Sequence, residues 1–174
     1  MFLEKIKKYI KIDGKGALIS LFVTIFTIIT DLVTKIIVMN TMTLGQSIPL
    51  VKGILHITYI TNKGAAFGSF SDARWLFMTL SSLLIVFLVA LLIAWEDRHP
   101  LFYVSVSMVL GGGIGNMIDR IFYGEVVDFI DFCAFPRLWQ WIFNGADAFV
   151  CVGVGLLMIY YVRAEIRNAR EKKE

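Results

Sequence analysis

The 174-residue chain is 57% hydrophobic and only 18% charged, with a mean hydropathy of +0.73. Soluble domains are about 45–50% apolar with charge spread over every segment, so an ordinary water-soluble fold is excluded and a lipid-facing one is implied. The net charge of +3 comes mostly from the two ends of the chain, where membrane proteins carry topological charge, so no nucleic-acid partner is expected. Cys133 and Cys151 have neither zinc-ligand spacing nor the density of a disulfide framework and read as packing residues.

Residues 1–16 form a basic leader with Lys5, Lys7, Lys8, Lys11 and Lys15. It reads as uncleaved, because no small-residue cleavage site follows a short apolar core. A membrane-spanning helix needs about 20 mostly apolar residues, since lipid offers no partners to the backbone. The first such run is Ala17 to Met39, interrupted only by Asp31 and Lys35. Residues 40–74 are too long for a tight turn, and the β-branched alternation of Ile54 to Ile60 predicts a short strand pair or small sheet lying on the membrane. The second span, Trp75 to Trp95, has no charge and a Trp at each end, as interfacial aromatics do. The third, Leu101 to Ile121, is apolar up to Asp119 and Arg120. Residues 124–140 are amphipathic and aromatic, which suits a segment lying at the interface. A fourth span runs from about Trp141 to Val162, and 163–174 form a charged tail. The fold class is therefore an all-α membrane protein of four helices within one domain, residues 17–162.

Charge asymmetry predicts the orientation. Five lysines before the first span, Arg98 between the second and third, and five basic residues after the fourth give eleven on one side; Lys52, Lys63, Arg74 and Arg137 give four on the other. The positive-inside rule then places both termini in the cytoplasm. At a rise of about 1.5 Å per residue, Asp31 lies about 21 Å and Asp119 about 27 Å from the cytoplasmic ends of their helices. Asn144 and Asp147 fall in the first turns of the fourth helix, Asn62 in the first outer loop, and Asp128 directly after the third helix. Polar groups from every segment but the second span thus collect in one layer at the outer boundary.

Ionisable residues at membrane depth are costly and mark function by default. Asp31 and Lys35, four residues apart, neutralise each other on one helix face and read as a structural pair. Asn116, Asp119 and Arg120 share a face, and the preceding GGGIG allows another backbone close approach, which suits support of a site. Asp128 and Asp147 have no local cation. Two carboxylates from different segments can share a proton, leaving one as base and the other as acid, as activation of water against a peptide bond requires. Two separately hydrogen-bonded aspartates are the competing reading, and Asp131, three residues after Asp128, is a possible solvated neighbour. With His56 and His99 the only histidines, neither a Ser-His-Asp triad nor a histidine-rich metal site is expected in the outer layer; no metal and no cofactor is expected.

The segments DLVTK, NKGAAFG, GNMIDRI, VVDF and FNGAD, in that order, resemble the lipoprotein signal peptidases (signal peptidase II) over nearly the whole chain after the leader. The resemblance implies a bacterial cell (inner) membrane aspartic endopeptidase that cuts diacylglyceryl-modified prolipoproteins before the lipidated cysteine. It implies Asp128 and Asp147 as the catalytic pair; Asn62, Asn116, Arg120 and Asn144 lining or bracing the site; Gly64 allowing close substrate approach; and Asp119 orienting its neighbours. It further implies a small extracytoplasmic β-cradle, an interfacial helix, membrane lipid as environment, and globomycin-type peptides as inhibitors. Ala148 stands where many relatives have a small hydroxyl residue. The rival reading is a small proton- or cation-coupled transporter, whose essential acid is expected near the midplane and reachable from both sides. A purely structural protein is the third reading, with less need for polar groups in the membrane.

Overall fold

The computed structural model describes residues 14–62, 74–95, 99–134 and 141–172. Among the described residues, four helices are long and apolar enough to cross a membrane: α1 (Gly14–Thr41), α2 (Arg74–Ala94), α3 (Pro100–Phe122) and α4 (Gly145–Glu171). The first and third contain the apolar runs expected of them, and the second matches its run to within one residue at each end. The fourth begins later and ends much later than the hydropathy suggested. Residues Ile142–Phe143 are a short strand, and Asn144 caps the helix by accepting from the Asp147 N–H, a stop that composition alone conceals. At the other end the helix runs through the charged tail to Glu171, because Arg, Glu and Ala are good helix formers whether or not lipid surrounds them. The boundary placed at 162/163 therefore falls within one continuous helix.

α3 is the hub. Its buried residues include Phe102, Tyr103, Val106, Val109 and Leu110, whereas α2 buries only Leu88 and Leu92. Leu18 and Phe22 on α1, Leu83 and Phe87 on α2, and Met158 and Val162 on α4 are exposed, forming the apolar surface a bilayer would cover. Close approach to α3 depends on GGGIG. A Cβ on Gly111 would come within 2.7 Å of Thr27 on α1, one on Gly112 within 2.5 Å of the Ala146 carbonyl on α4, and one on Gly115 within 2.6 Å of Asp31 Oδ2. Larger residues would force these helices apart.

An antiparallel sheet of order β1-β2-β3-β4 is assembled from the α1–α2 and α3–α4 connections: β1 (Ser47–Val51), β2 (Leu55–Asn62), β3 (Val126–Phe132) and β4 (Ile142–Phe143). The strand expected at Ile54 to Ile60 is β2, with the expected hairpin partner β1. The described beginning of the second connection is a strand, β3, paired with β2 from Leu55↔Phe132 to Asn62↔Val126. Strand β2 would otherwise expose a row of unpaired backbone groups on that side, and the Val-Val-Asp-Phe-Ile run suits pairing. Residues 135–140, the remainder of that aromatic segment, lie outside the described residues. Gly124, at a φ of 81°, makes the left-handed turn that carries the chain from α3 into β3. Val38, Met42 and Phe129 then join sheet to helix in a small apolar cluster with Ile57, Tyr59 and Ile130.

Candidate active site

Lys35 sits at the junction of α1 and α3 and is 1% exposed. Its Nζ lies 2.7 Å from Asp31 Oδ2 and 2.8 Å from Asp119 Oδ2, and donates to Asn116 Oδ1 at 3.1 Å. The pair expected within α1 is therefore part of a larger group that joins two helices. Asp31 Oδ1 also accepts from the Ala146 N–H at 2.8 Å, one of the donors that a helix start leaves without an intrahelical partner. Asp119 Oδ2 accepts from the Val127 N–H at 3.2 Å. Two carboxylates sharing one lysine thus fix the start of α4 and the start of β3, the two segments that carry Asp147 and Asp128. This three-residue group escaped spacing rules, which see only i, i+3 and i, i+4 pairs. Depth arithmetic held the clue, since Lys35 and Asp119 each lie eighteen residues beyond the start of their expected spans.

The two uncompensated aspartates are joined through amides. Asn144 Nδ2 donates to Asp128 Oδ1 at 2.7 Å and to Asn116 Oδ1 at 3.0 Å; Asn116 Nδ2 in turn donates to Asp147 Oδ1 at 2.7 Å. Asn62 Nδ2 donates to Asp128 Oδ2 at 3.2 Å, and the Asp147 N–H donates to Asn144 Oδ1 at 2.9 Å. Asn116 and Asn144 accept as well as donate, so each amide is oriented by the network rather than free to flip. Residues from β2, α3, β3 and α4 meet here, although 66 positions separate Asn62 from Asp128. Gly64 lies outside the described residues.

Burial, then the negative charge of Asp147, pushes the Asp128 carboxyl up to about 7, against the opposing pull of its bonds to Asn62 and Asn144. A carboxyl that keeps its proton near neutrality beside a second carboxylate has the makings of an acid and base pair. The Arg120 guanidinium is close enough to act electrostatically on Asp147, Asp128 and Asp119. It donates to its own helix at the Asn116 carbonyl, 3.2 Å away, and stacks over the Phe77 ring at 5.6 Å. Asp131 takes no part in this network: its Oδ2 accepts from Thr58 Oγ1 at 2.7 Å, and its cross-strand partner is His56.

A protein-family profile described as signal peptidase (SPase) II matches residues 23–163. The chain belongs to the signal peptidase II family. It is 40% identical over 150 residues to a lipoprotein signal peptidase of Halalkalibacterium halodurans, a match covering 86% of this chain and 96% of that one. A lipoprotein signal peptidase of Halothermothrix orenii is 38% identical over 144 residues, 82% of this chain and 94% of its own. A bacterial membrane enzyme solved by the in meso method superposes with a TM-score of 0.74 at 36% identity, covering 89% of this chain and 92% of that structure. As a signal peptidase II with four membrane-spanning helices, the chain is a multi-pass membrane protease, and its family implies a lipoprotein substrate and a lipid environment. Nothing in these likenesses favours a transporter.

Proposed function

We propose that Asp128 and Asp147 are the catalytic pair of an aspartic endopeptidase that releases signal peptides from diacylglyceryl-modified prolipoproteins, cutting before the lipidated cysteine. The observation that carries this reading is the amide bridge from Asp128 through Asn144 and Asn116 to Asp147, together with the raised Asp128 carboxyl. Asp147 lies in the first turn of α4, where the helix dipole favours an anion, and is the base; Asp128 holds the proton. Asp147 takes a proton from water as its oxygen attacks the scissile carbonyl, and Asp128 gives its proton to the carbonyl oxygen. Asp147 then passes its new proton to the amide nitrogen while Asp128 takes one back from a hydroxyl of the tetrahedral intermediate, and the C–N bond breaks to leave a peptide acid and a new amino terminus, with both carboxyls restored. No metal or covalent nucleophile enters these steps.

Asn62, Asn116 and Asn144 hold the carboxylates in register, Gly64 admits the substrate backbone, and Arg120 balances the pair's charge, while Asp31, Lys35 and Asp119 fix the segments beneath. The charge asymmetry of the sequence supports cytoplasmic termini, with residues 1–16 and 163–174 inside and the site toward the outer face. There a diacylated cysteine, its chains in the outer leaflet, presents the scissile bond at the depth of the pair. Globomycin-type peptides would occupy the same site. The test compares a fluorescent lipobox peptide with and without its diacylglyceryl group, using the purified protein. Cleavage of the lipidated peptide, blocked by globomycin, is expected; equal turnover of the unlipidated peptide would overturn the substrate assignment.

A further inference from the structure

A second cluster of reactive side chains lies toward the other end of the β2–β3 ladder. His56 and Asp131 are cross-strand partners, and Cys133 follows β3 with its N–H bonded to the Ile54 carbonyl at 2.8 Å. One ligand atom from each of the three lies within 4.8 Å of the others, and none of the three belongs to the amide network around Asp128. The imidazole and carboxylate are already oriented: Ser47 Oγ is 3.3 Å from His56 Nδ1 and 2.7 Å from Thr58 Oγ1, and Thr58 Oγ1 donates to Asp131 Oδ2 at 2.7 Å. Hydroxyls that hold a ring and a carboxylate in this way are the kind of outer partner that supports metal ligands.

We propose that His56, Asp131 and Cys133 bind one divalent transition-metal ion of the zinc class. Nitrogen, carboxylate oxygen and thiolate sulfur together suit a borderline cation; magnesium and calcium require oxygen ligands throughout. Zinc bonds of about 2.0 Å to nitrogen or oxygen and 2.3 Å to sulfur set tetrahedral ligands roughly 3.3–3.8 Å apart. The cluster needs to close by about 1 Å, which side-chain rotation supplies. As the metal–sulfur bond forms, the Cys133 thiol releases its proton to solvent, and water fills the fourth position. The ion clips the end of β3 to the start of β2, in the sheet that carries Asn62 and Asp128 at its other end. His56 on β2 and Asp131 on β3 are 75 positions apart in sequence, and Cys133 follows β3, so no Cys and His spacing announces the group.

The test uses the full-length protein in detergent, stripped with a chelator and titrated with Co2+ as probe. We expect one equivalent to bind with a thiolate-to-cobalt charge-transfer band that Zn2+ displaces. The band is lost in Cys133→Ser and His56→Gln, kept in Cys151→Ser, and reached only at 10–100-fold higher Co2+ in Thr58→Val. A wild-type protein with no such band, or a band that survives Cys133→Ser, overturns the site. The wild-type titration is decisive without any variant, and cleavage by Cys133→Ser checks that the variant remains folded.

Discussion

At the scale of single residues, Asp128 differs from Asp131 in its neighbours, not in its chemistry. Asp131 bonds a hydroxyl and faces an imidazole across the ladder; Asp128 is 3% exposed and meets two amides and the charge of Asp147. A carboxyl raised to about 7 holds its proton below that pH and loses it above. Its folded value lies above its unfolded one, so its contribution to stability is fully present below the ordinary carboxylate range and is lost as pH rises through 7. Cleavage should accordingly show an alkaline limb near pH 7, the apparent value belonging to the pair. Removing the neighbouring charge in Asp147→Asn should move the Asp128 titration, followed by the infrared band of the protonated carboxyl, to lower pH. An unchanged midpoint in that variant would remove Asp147 as a cause of the shift.

At the scale of elements, the amide network depends on Lys35 joining α1 to α3. Lys35→Met would leave Asp31 and Asp119 buried without their cation, a loss of about 3–5 kcal/mol by the usual cost of breaking a buried pair. Thermal melting in detergent should fall markedly, and adding Asp119→Asn should restore part of the loss; melting at the wild-type temperature in Lys35→Met alone would contradict this role. The helices were legible in the sequence because twenty apolar residues in lipid admit few alternatives, and β2 was legible from its β-branched alternation. The start of α4 was not, since Trp141 to Phe143 is as apolar as a helix and only the Asn144 cap, a hydrogen bond rather than a composition, ends the strand. β3 was missed for a related reason: its partner β2 lies beyond two intervening helices, and short-range patterns carry no record of it. Motif resemblance implied Asp128, Asp147, Asn62, Asn116 and Asn144 as site residues, and hydrogen bonds link those five side chains. Two carboxylate contacts that organise them, from Asp31 to the Ala146 N–H and from Asp119 to Lys35, join different helices, a relation that short-range spacing does not carry.

At the scale of the molecule, the strands all emerge from one end of the helix bundle, and the chain places both described termini at the opposite end. The topology proposed from charge makes the strand end extracytoplasmic. In intact spheroplasts an impermeant thiol reagent should modify Cys133, beside the sheet, faster than Cys151, within α4, while tags on either terminus stay protected. A terminal tag reached from outside would invert the orientation. The same geometry separates a peptidase from a carrier: the carboxylates cluster where β2 and β3 meet the ends of α3 and α4, not halfway along the helices.

The most direct measurement of the central claim is cleavage of a fluorescent diacylglyceryl lipobox peptide by purified, monodisperse Asp128→Asn, Asp147→Asn and Asp131→Asn. Asparagine keeps the side-chain size and removes the exchangeable carboxyl proton, so each of the first two should eliminate nearly all turnover, because residues that act as one unit fail together. Asp131→Asn should retain substantial activity. Near wild-type turnover in either Asp128→Asn or Asp147→Asn would contradict the aspartic mechanism.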